Sequence, residues 1–125
     1  MKAQTPEDCD RLFAEHCNAG RLDDLLALYE PTATFVPQTG PPAEGIAAIR
    51  EALAGLLSAK PEFRMHVAKV VRAGGDLAAV YNDWTVKMKP PGGDATEGAG
   101  KAFEIVRRQP DGSWKYVFDD PFLRG

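Results

Sequence analysis

Residues 98–119, GAGKAFEIVRRQPDGSWKYVFD, hold two runs of alternating side chains joined by Pro110-Asp111-Gly112. Alternation marks strands, because successive side chains point to opposite faces, and Asp-Gly supplies the positive-φ residues of a tight hairpin. Residues 98–108 and 114–119 are therefore predicted to pair. The same signal extends backwards. Residues 63–72 and 77–88 read as two further strands joined through Gly74-Gly75-Asp76. Residues 89–97, with two prolines and two adjacent glycines, read as a longer loop. The segment after Pro61 is thus predicted to be an antiparallel meander of four strands.

Before Pro61 the period changes. Thr5, Pro6, Glu7 and Asp8 make a helix start, and Cys9, Leu12, Phe13, His16 and Cys17 follow at helical spacing up to Gly20. A shorter helix is expected to carry Leu22, Leu25, Leu26 and Tyr29. It ends at Glu30, because Pro31 disfavours helical geometry in the residue before it. Residues 33–36 fit a short strand and 37–44, with three prolines and a glycine, a loop. A third helix from Gly45 aligns Ile46, Ile49, Leu53, Leu56 and Leu57. Helices first and sheet second predict one α+β domain over residues 1–125. A twisted sheet half covered by three helices wraps into a cone whose open end is a natural pocket.

Composition narrows the function. The chain has 125 residues, 44% of them hydrophobic, and its net charge is −3 with the basic residues scattered. That balance argues against nucleic acid as a partner. No apolar stretch approaches the ~20 residues of a membrane span and residues 1–10 lack the apolar core of a signal peptide, so a soluble, cytoplasmic protein is expected. Cys9 and Cys17 are eight residues apart on one predicted helix, ~12 Å along its axis, too far for a disulfide. Neither His16 nor His66 has a Cys, Asp or Glu at ligand spacing, so no metal is expected. No nucleophile triad, phosphate loop or dinucleotide fingerprint is present, and no cofactor is expected.

The stretches Gly20-Arg21-Leu22-Asp23-Asp24-Leu25-Leu26-Ala27-Leu28-Tyr29, Ala33-Thr34-Phe35 and Ala48-Ile49-Arg50 resemble the front half of ketosteroid-isomerase-like proteins. Gly75-Asp76-Leu77-Ala78, Asn82-Asp83-Trp84, residues 107–114 and Asp119-Asp120-Pro121 resemble a bacterial SnoaL-like (DUF4440-type) branch of that nuclear-transport-factor-2-like (NTF2-like) superfamily. The resemblance covers nearly the whole chain. It implies a cystatin-like cone with three N-terminal helices on a strongly curved antiparallel sheet of four to six strands. It also implies a homodimer through the outer sheet face. Of the isomerase groups it implies, two are replaced here: the proton-shuttling carboxylate falls at Val36 or Pro37, and the oxyanion-hole phenol at Phe13. The third, an acid kept protonated by an apolar site, falls on Glu104.

With Asp111-Gly112 as a two-residue turn, Glu104 lies opposite Asp119, and two facing carboxyls share a proton or bind a cation. Both are catalytic candidates if they point inward. Both are solvated if the more apolar face, with Phe103, Ile105, Trp114, Tyr116 and Phe118, is the core side. Asn82 and Trp84 share a face with Ala78, Val80 and Val86 and are predicted to line the cone, Trp84 either stacking on a flat ligand or serving as core. Phe13, Cys17, Tyr29, Val36, His66 and Val117 complete the candidate pocket. Three functions fit this reading: a binding domain for a small apolar or aromatic molecule, a cofactor-independent isomerase or dehydratase using Glu104 and Asp119, and an oligomerising module resembling the calmodulin-dependent kinase association domain.

Overall fold

A computed structural model describes residues 2–122. Its elements are α1 (Asp8–Asn18), α2 (Leu22–Leu26), β1 (Tyr29–Phe35), β2 (Ala43–Glu44), α3 (Ile46–Ser58), β3 (Glu62–Ala73), β4 (Leu77–Met88), β5 (Thr96–Arg108) and β6 (Trp114–Asp120). Among the described residues no helix is long and apolar enough to cross a membrane.

The local signals act as their chemistry dictates. The Thr5 Oγ1 accepts the Asp8 N–H at 3.3 Å, and Gly20 ends the first helical segment at φ 70°. Cys9, Leu12, Phe13, His16 and Cys17 form the buried face of α1, and both cysteines are free. The expected second helix stops short: it ends at Leu26, and Tyr29 opens β1 instead. Pro31 forbids another helical turn, and the Tyr116 N–H donates to the Leu28 carbonyl at 2.7 Å, drawing this segment onto the sheet.

The six strands form one sheet in the order β2-β1-β6-β5-β4-β3. Strands β3 to β6 are the predicted antiparallel meander. The sheet as a whole is mixed, because β1 lies parallel to β6, through Tyr29↔Tyr116 and Phe35↔Asp119. A parallel partner needs a long crossover, which α3 and the meander provide. The helices cover the concave face, where Leu12, Leu25, Ile49, Leu53, Val80 and Val106 are fully buried. Asn18 clamps α1 to β3: its Nδ2 donates to the Phe63 carbonyl at 3.0 Å and its Oδ1 accepts the Phe63 N–H at 2.6 Å.

The β5–β6 hairpin reaches its predicted register by another route. Its loop spans residues 109–113, so Arg108 pairs with Trp114 and Val106 with Tyr116. Then Ile105 pairs with Phe118 and Glu104 with Asp119, leaving Val117 as an unpaired bulge residue. Arg108 thus pairs one residue earlier on β6 than a two-residue turn would place it, and the extra strand residue restores the predicted register beyond the bulge. The bulge also reverses the alternation of β6. Trp114 and Tyr116 turn inward with Glu104, while Phe118 turns outward onto Phe103, ring centroids 6.3 Å apart. This corrects the expectation that Trp114, Tyr116 and Phe118 share a face with Phe103.

Helix α3 is launched from Gly45 at φ 85°, ψ 161°, backbone that is open essentially to glycine alone. Gly45→Ala is expected to lower stability by about 1–3 kcal/mol, read as a lower midpoint of chemical denaturation at unchanged slope.

Candidate functional site

Between α1, α3 and the concave sheet lies a cavity of about 270 Å³. Six aromatic side chains line it, several of them in mutual contact. Phe13 meets Phe63 edge to face at 5.8 Å, Phe63 meets Trp84 at 5.9 Å, and Trp84 meets Phe122 at 5.6 Å. Phe35 and Tyr116 extend this lining. The Trp84 Nε1–H donates to the Pro121 carbonyl at 2.8 Å, which fastens the end of β6 over the cavity. Gly100 faces the indole across β4–β5. A Cβ there would stand 2.5 Å from Trp84 Cζ2, so the missing side chain makes room for the ring.

The most buried part of the wall is polar. Asp10, Asn82, Glu104 and Asp119 are at most 4% exposed. Tyr116 donates its hydroxyl to Asp10 Oδ1 at 2.6 Å, and Tyr29 donates to Asp119 Oδ2 at 2.6 Å. The Asn82 Nδ2 donates to Glu104 Oε2 at 2.8 Å. Three oxygens, Asp10 Oδ2, Glu104 Oε1 and Asn82 Oδ1, accept from no amide or phenol of the protein. Asp10 and Glu104 each alter the proton affinity of the other, so a proton kept by Glu104 is one that Asp10 would share.

Burial raises the proton affinity of all three acids, since the low-dielectric interior penalises their charged forms. Glu104 is pushed well above the ordinary carboxyl range, first by burial and then by the charges of Asp10 and Asp119. Asp10 is raised by burial against the opposing effect of its hydrogen bonds to Glu104 and Tyr116. Asp119 rises to about 7, again by burial, with the Tyr29 hydroxyl holding it down. Glu104 and Asp119 are direct cross-strand partners, with Cβ atoms of such pairs about 5 Å apart. The arrangement therefore presents a neutral acid beside a carboxyl that exchanges its proton near neutrality.

Of the residues singled out from sequence, Glu104, Asp119, Phe13, Asn82 and Trp84 line this cavity together. Tyr29 and Cys17 sit one layer behind, Tyr29 touching Asp119 and the Cys17 thiol pushed up to about 12 by burial. Three others do not belong. Val36 points away because its neighbours Phe35 and Pro37 take the inward positions, and its N–H instead donates to the Asp119 carbonyl at 2.9 Å. Val117 is displaced by the bulge, and Tyr116 occupies the inward site. His66 is exposed on the convex face, because Met65 points in and neighbours alternate.

Asp10 and Tyr116 were not anticipated. The signal for Asp10 is its place on the α1 stripe, three residues before Phe13 and seven before Cys17: the one carboxylate on a largely apolar face. Tyr116 carried no such signal, since its inward direction depends on the bulge. Among the described residues, no three His, Cys, Asp or Glu side chains are grouped to hold a metal ion.

The SnoaL-like domain model matches residues 10–117. No curated protein matches the chain in sequence. Among solved structures, it is similar to a ketosteroid isomerase-like protein from Erwinia carotovora atroseptica (17% identity, 91% of this chain and 89% of that one, TM-score 0.82). It is also similar to an NTF2-like protein with a cystatin-like fold from Novosphingobium aromaticivorans (18% identity, 93% and 77%, TM-score 0.76). A third is a candidate calcium/calmodulin-dependent protein kinase type II association domain from Thiobacillus denitrificans (20% identity, 98% and 99%, TM-score 0.76). At these identities the likeness establishes the shared NTF2-like, cystatin-like fold.

Two outcomes follow from the site's geometry. Gly100→Ala is expected to force the Trp84 indole off Pro121, costing about 1–3 kcal/mol and shifting tryptophan emission. An acid that binds its proton more tightly folded than unfolded destabilises the fold progressively as pH rises from the unfolded value toward the folded one. Asp119→Asn is therefore expected to gain stability relative to wild type between about pH 4 and 7, by roughly 1.4 kcal/mol per unit at most, and to level off above. Parallel denaturation curves across that range would contradict a buried, titrating Asp119.

Proposed function

We propose that this chain, which belongs to the SnoaL-like domain family, is a small-molecule-binding domain that encloses a small, largely apolar ligand within its cone. The observation that carries this is the aromatic cavity, about 270 Å³, ending on buried polar groups that are only partly satisfied by the protein. Ligand sites are typically apolar walls with a few placed polar groups. Residues 1–125 are read as one such domain, with Phe13, Asn82, Trp84, Glu104 and Asp119 contacting the ligand and Tyr29 and Cys17 supporting that wall.

A second reading adds chemistry. Glu104 keeps its proton while Asp119 exchanges one near pH 7, a division that suits an acid and a base for isomerisation or dehydration without a cofactor. Asp119 takes a proton from carbon, and Glu104 hydrogen-bonds the oxygen on which charge develops. The name of the isomerase-like neighbour is in keeping with it.

A homodimer through the outer sheet face, in a cytoplasmic setting, belongs to the same proposal. Half-buried Tyr81, Phe103 and Phe118 make an aromatic ladder there.

Binding is tested by titrating a neutral aromatic such as anisole against tryptophan emission. Saturable quenching is expected in wild type and in Glu104→Gln, and its loss in Ala52→Trp, which fills the cavity from α3. Unchanged quenching in Ala52→Trp would place binding elsewhere. The catalytic reading is tested by solvent-deuterium exchange beside the carbonyl of cyclohexenone. Exchange is expected in wild type and about 10²–10⁴-fold slower in Asp119→Asn. No exchange in wild type would leave a binding domain alone.

A further inference from the structure

The cavity has a definite charge preference. Three carboxyls reach its wall, Asp10 from α1, Glu104 from β5 and Asp119 from β6, and among the described residues no Lys, Arg or His does. An anionic ligand would meet three acids and no cation. The unpartnered atoms agree: Asn82 Oδ1 accepts from no group of the protein, and once the carboxyl pair gives up its proton Asp10 Oδ2 and Glu104 Oε1 are acceptors as well, so a ligand that satisfies all three brings donors. Asn82 is the independent witness, because its amide oxygen is an acceptor at every pH and its residue is 1% exposed. Around these groups stand the faces and edges of six aromatic side chains, whose faces attract positive charge.

From this donor demand and this enclosure we infer that the ligand is a small organic amine, bound as its ammonium ion with the nitrogen toward Asp10, Asn82 and Glu104 and its apolar body among the rings. The inference rests on the binding reading above and names the class of molecule bound.

Binding then exchanges one cation for one proton. The ammonium N–H groups take the acceptors, and the proton shared by Asp10 and Glu104 leaves for solvent, so the charge of the cavity is unchanged. The groups facing that pair are Asn82 on β4, Tyr116 and Asp119 on β6, Tyr29 on β1 and the Cys9 thiol on α1. On this wall, α3 and β3 contribute only the apolar Ala52, Leu56, Phe63 and Met65. None of these neighbours supplies positive charge, so an incoming ammonium ion is the group that displaces the proton.

The test uses the wild-type chain and three probes with one body, benzylamine, benzyl alcohol and benzoate, titrated calorimetrically from pH 5 to 7.5. The amine stays protonated throughout. Benzylamine is expected to bind at least tenfold tighter than the alcohol at pH 7, and benzoate not at all. The amine's affinity is expected to rise about tenfold per pH unit where the pair is protonated, with one proton released per ligand. Equal or tighter binding of the alcohol, or an amine affinity independent of pH, overturns the ammonium assignment while leaving the binding domain standing. Failure of all three probes, together with absence of anisole quenching, removes both.

Discussion

The β6 bulge at Val117 determines which side chains share the cavity. Without it, strict alternation would put Tyr116 and Asp119 on opposite faces of β6, and Asp10 would lose its phenol partner. With it, a tyrosine and an aspartate three residues apart both point inward. Each is then met from another element: Tyr116 by Asp10 of α1, Asp119 by Tyr29 at the start of β1. These two short hydrogen bonds tie a helix and a parallel strand to the last strand, so the polar end of the cavity also fastens the cone. A bulge stores little energy in itself, but it sets direction for every residue beyond it.

Three buried acids in so small a volume are costly to desolvate, and the molecule limits that cost in two ways. It supplies neutral donors, two phenols and an amide, instead of cations, and it lets the acids keep protons. The surface contrasts with this. Asp23, Asp76 and Asp111 are paired there with Arg50, Arg108 and Lys2 in exposed ion pairs that contribute little to stability. Arginine is thus plentiful outside and absent from the described cavity wall, which keeps the interior proton-rich and receptive to a positively charged guest.

Much of the fold was legible in the sequence because it is written in short-range signals: the capping Thr5, the stop at Gly20, the period-2 runs and the glycine turns. The pairing of Glu104 with Asp119 was legible too, although the sequence left its direction open and its register came about through a five-residue loop and a compensating bulge. What was hidden depends on long-range pairing. The parallel docking of β1 onto β6, which converts Tyr29 from a helical to a strand residue, has no local signature. Val117 and Tyr116 exchanged places for the same reason, since a bulge is invisible to alternation. His66 and Val36 were misplaced by one step of that alternation, which is all that separates the two faces of a strand. Asp10 was within reach, as the one carboxylate on a largely apolar helix stripe.

The β1–β6 ladder also governs when the molecule can form. Ala3 bridges to Trp114, and Tyr29 pairs with Tyr116, so the earliest and latest described segments meet in one sheet. Loop closure over such separations delays the rewarding contacts until most conformational entropy has been lost. During synthesis the helices and the first strands emerge without the strand that completes their wall. For that interval the inner faces of α1 and β4, with their aromatic and apolar side chains, stay uncovered. The nascent chain is most vulnerable to aggregation just before residues 114–120 leave the ribosome, and β6 closes that window as it closes the cone.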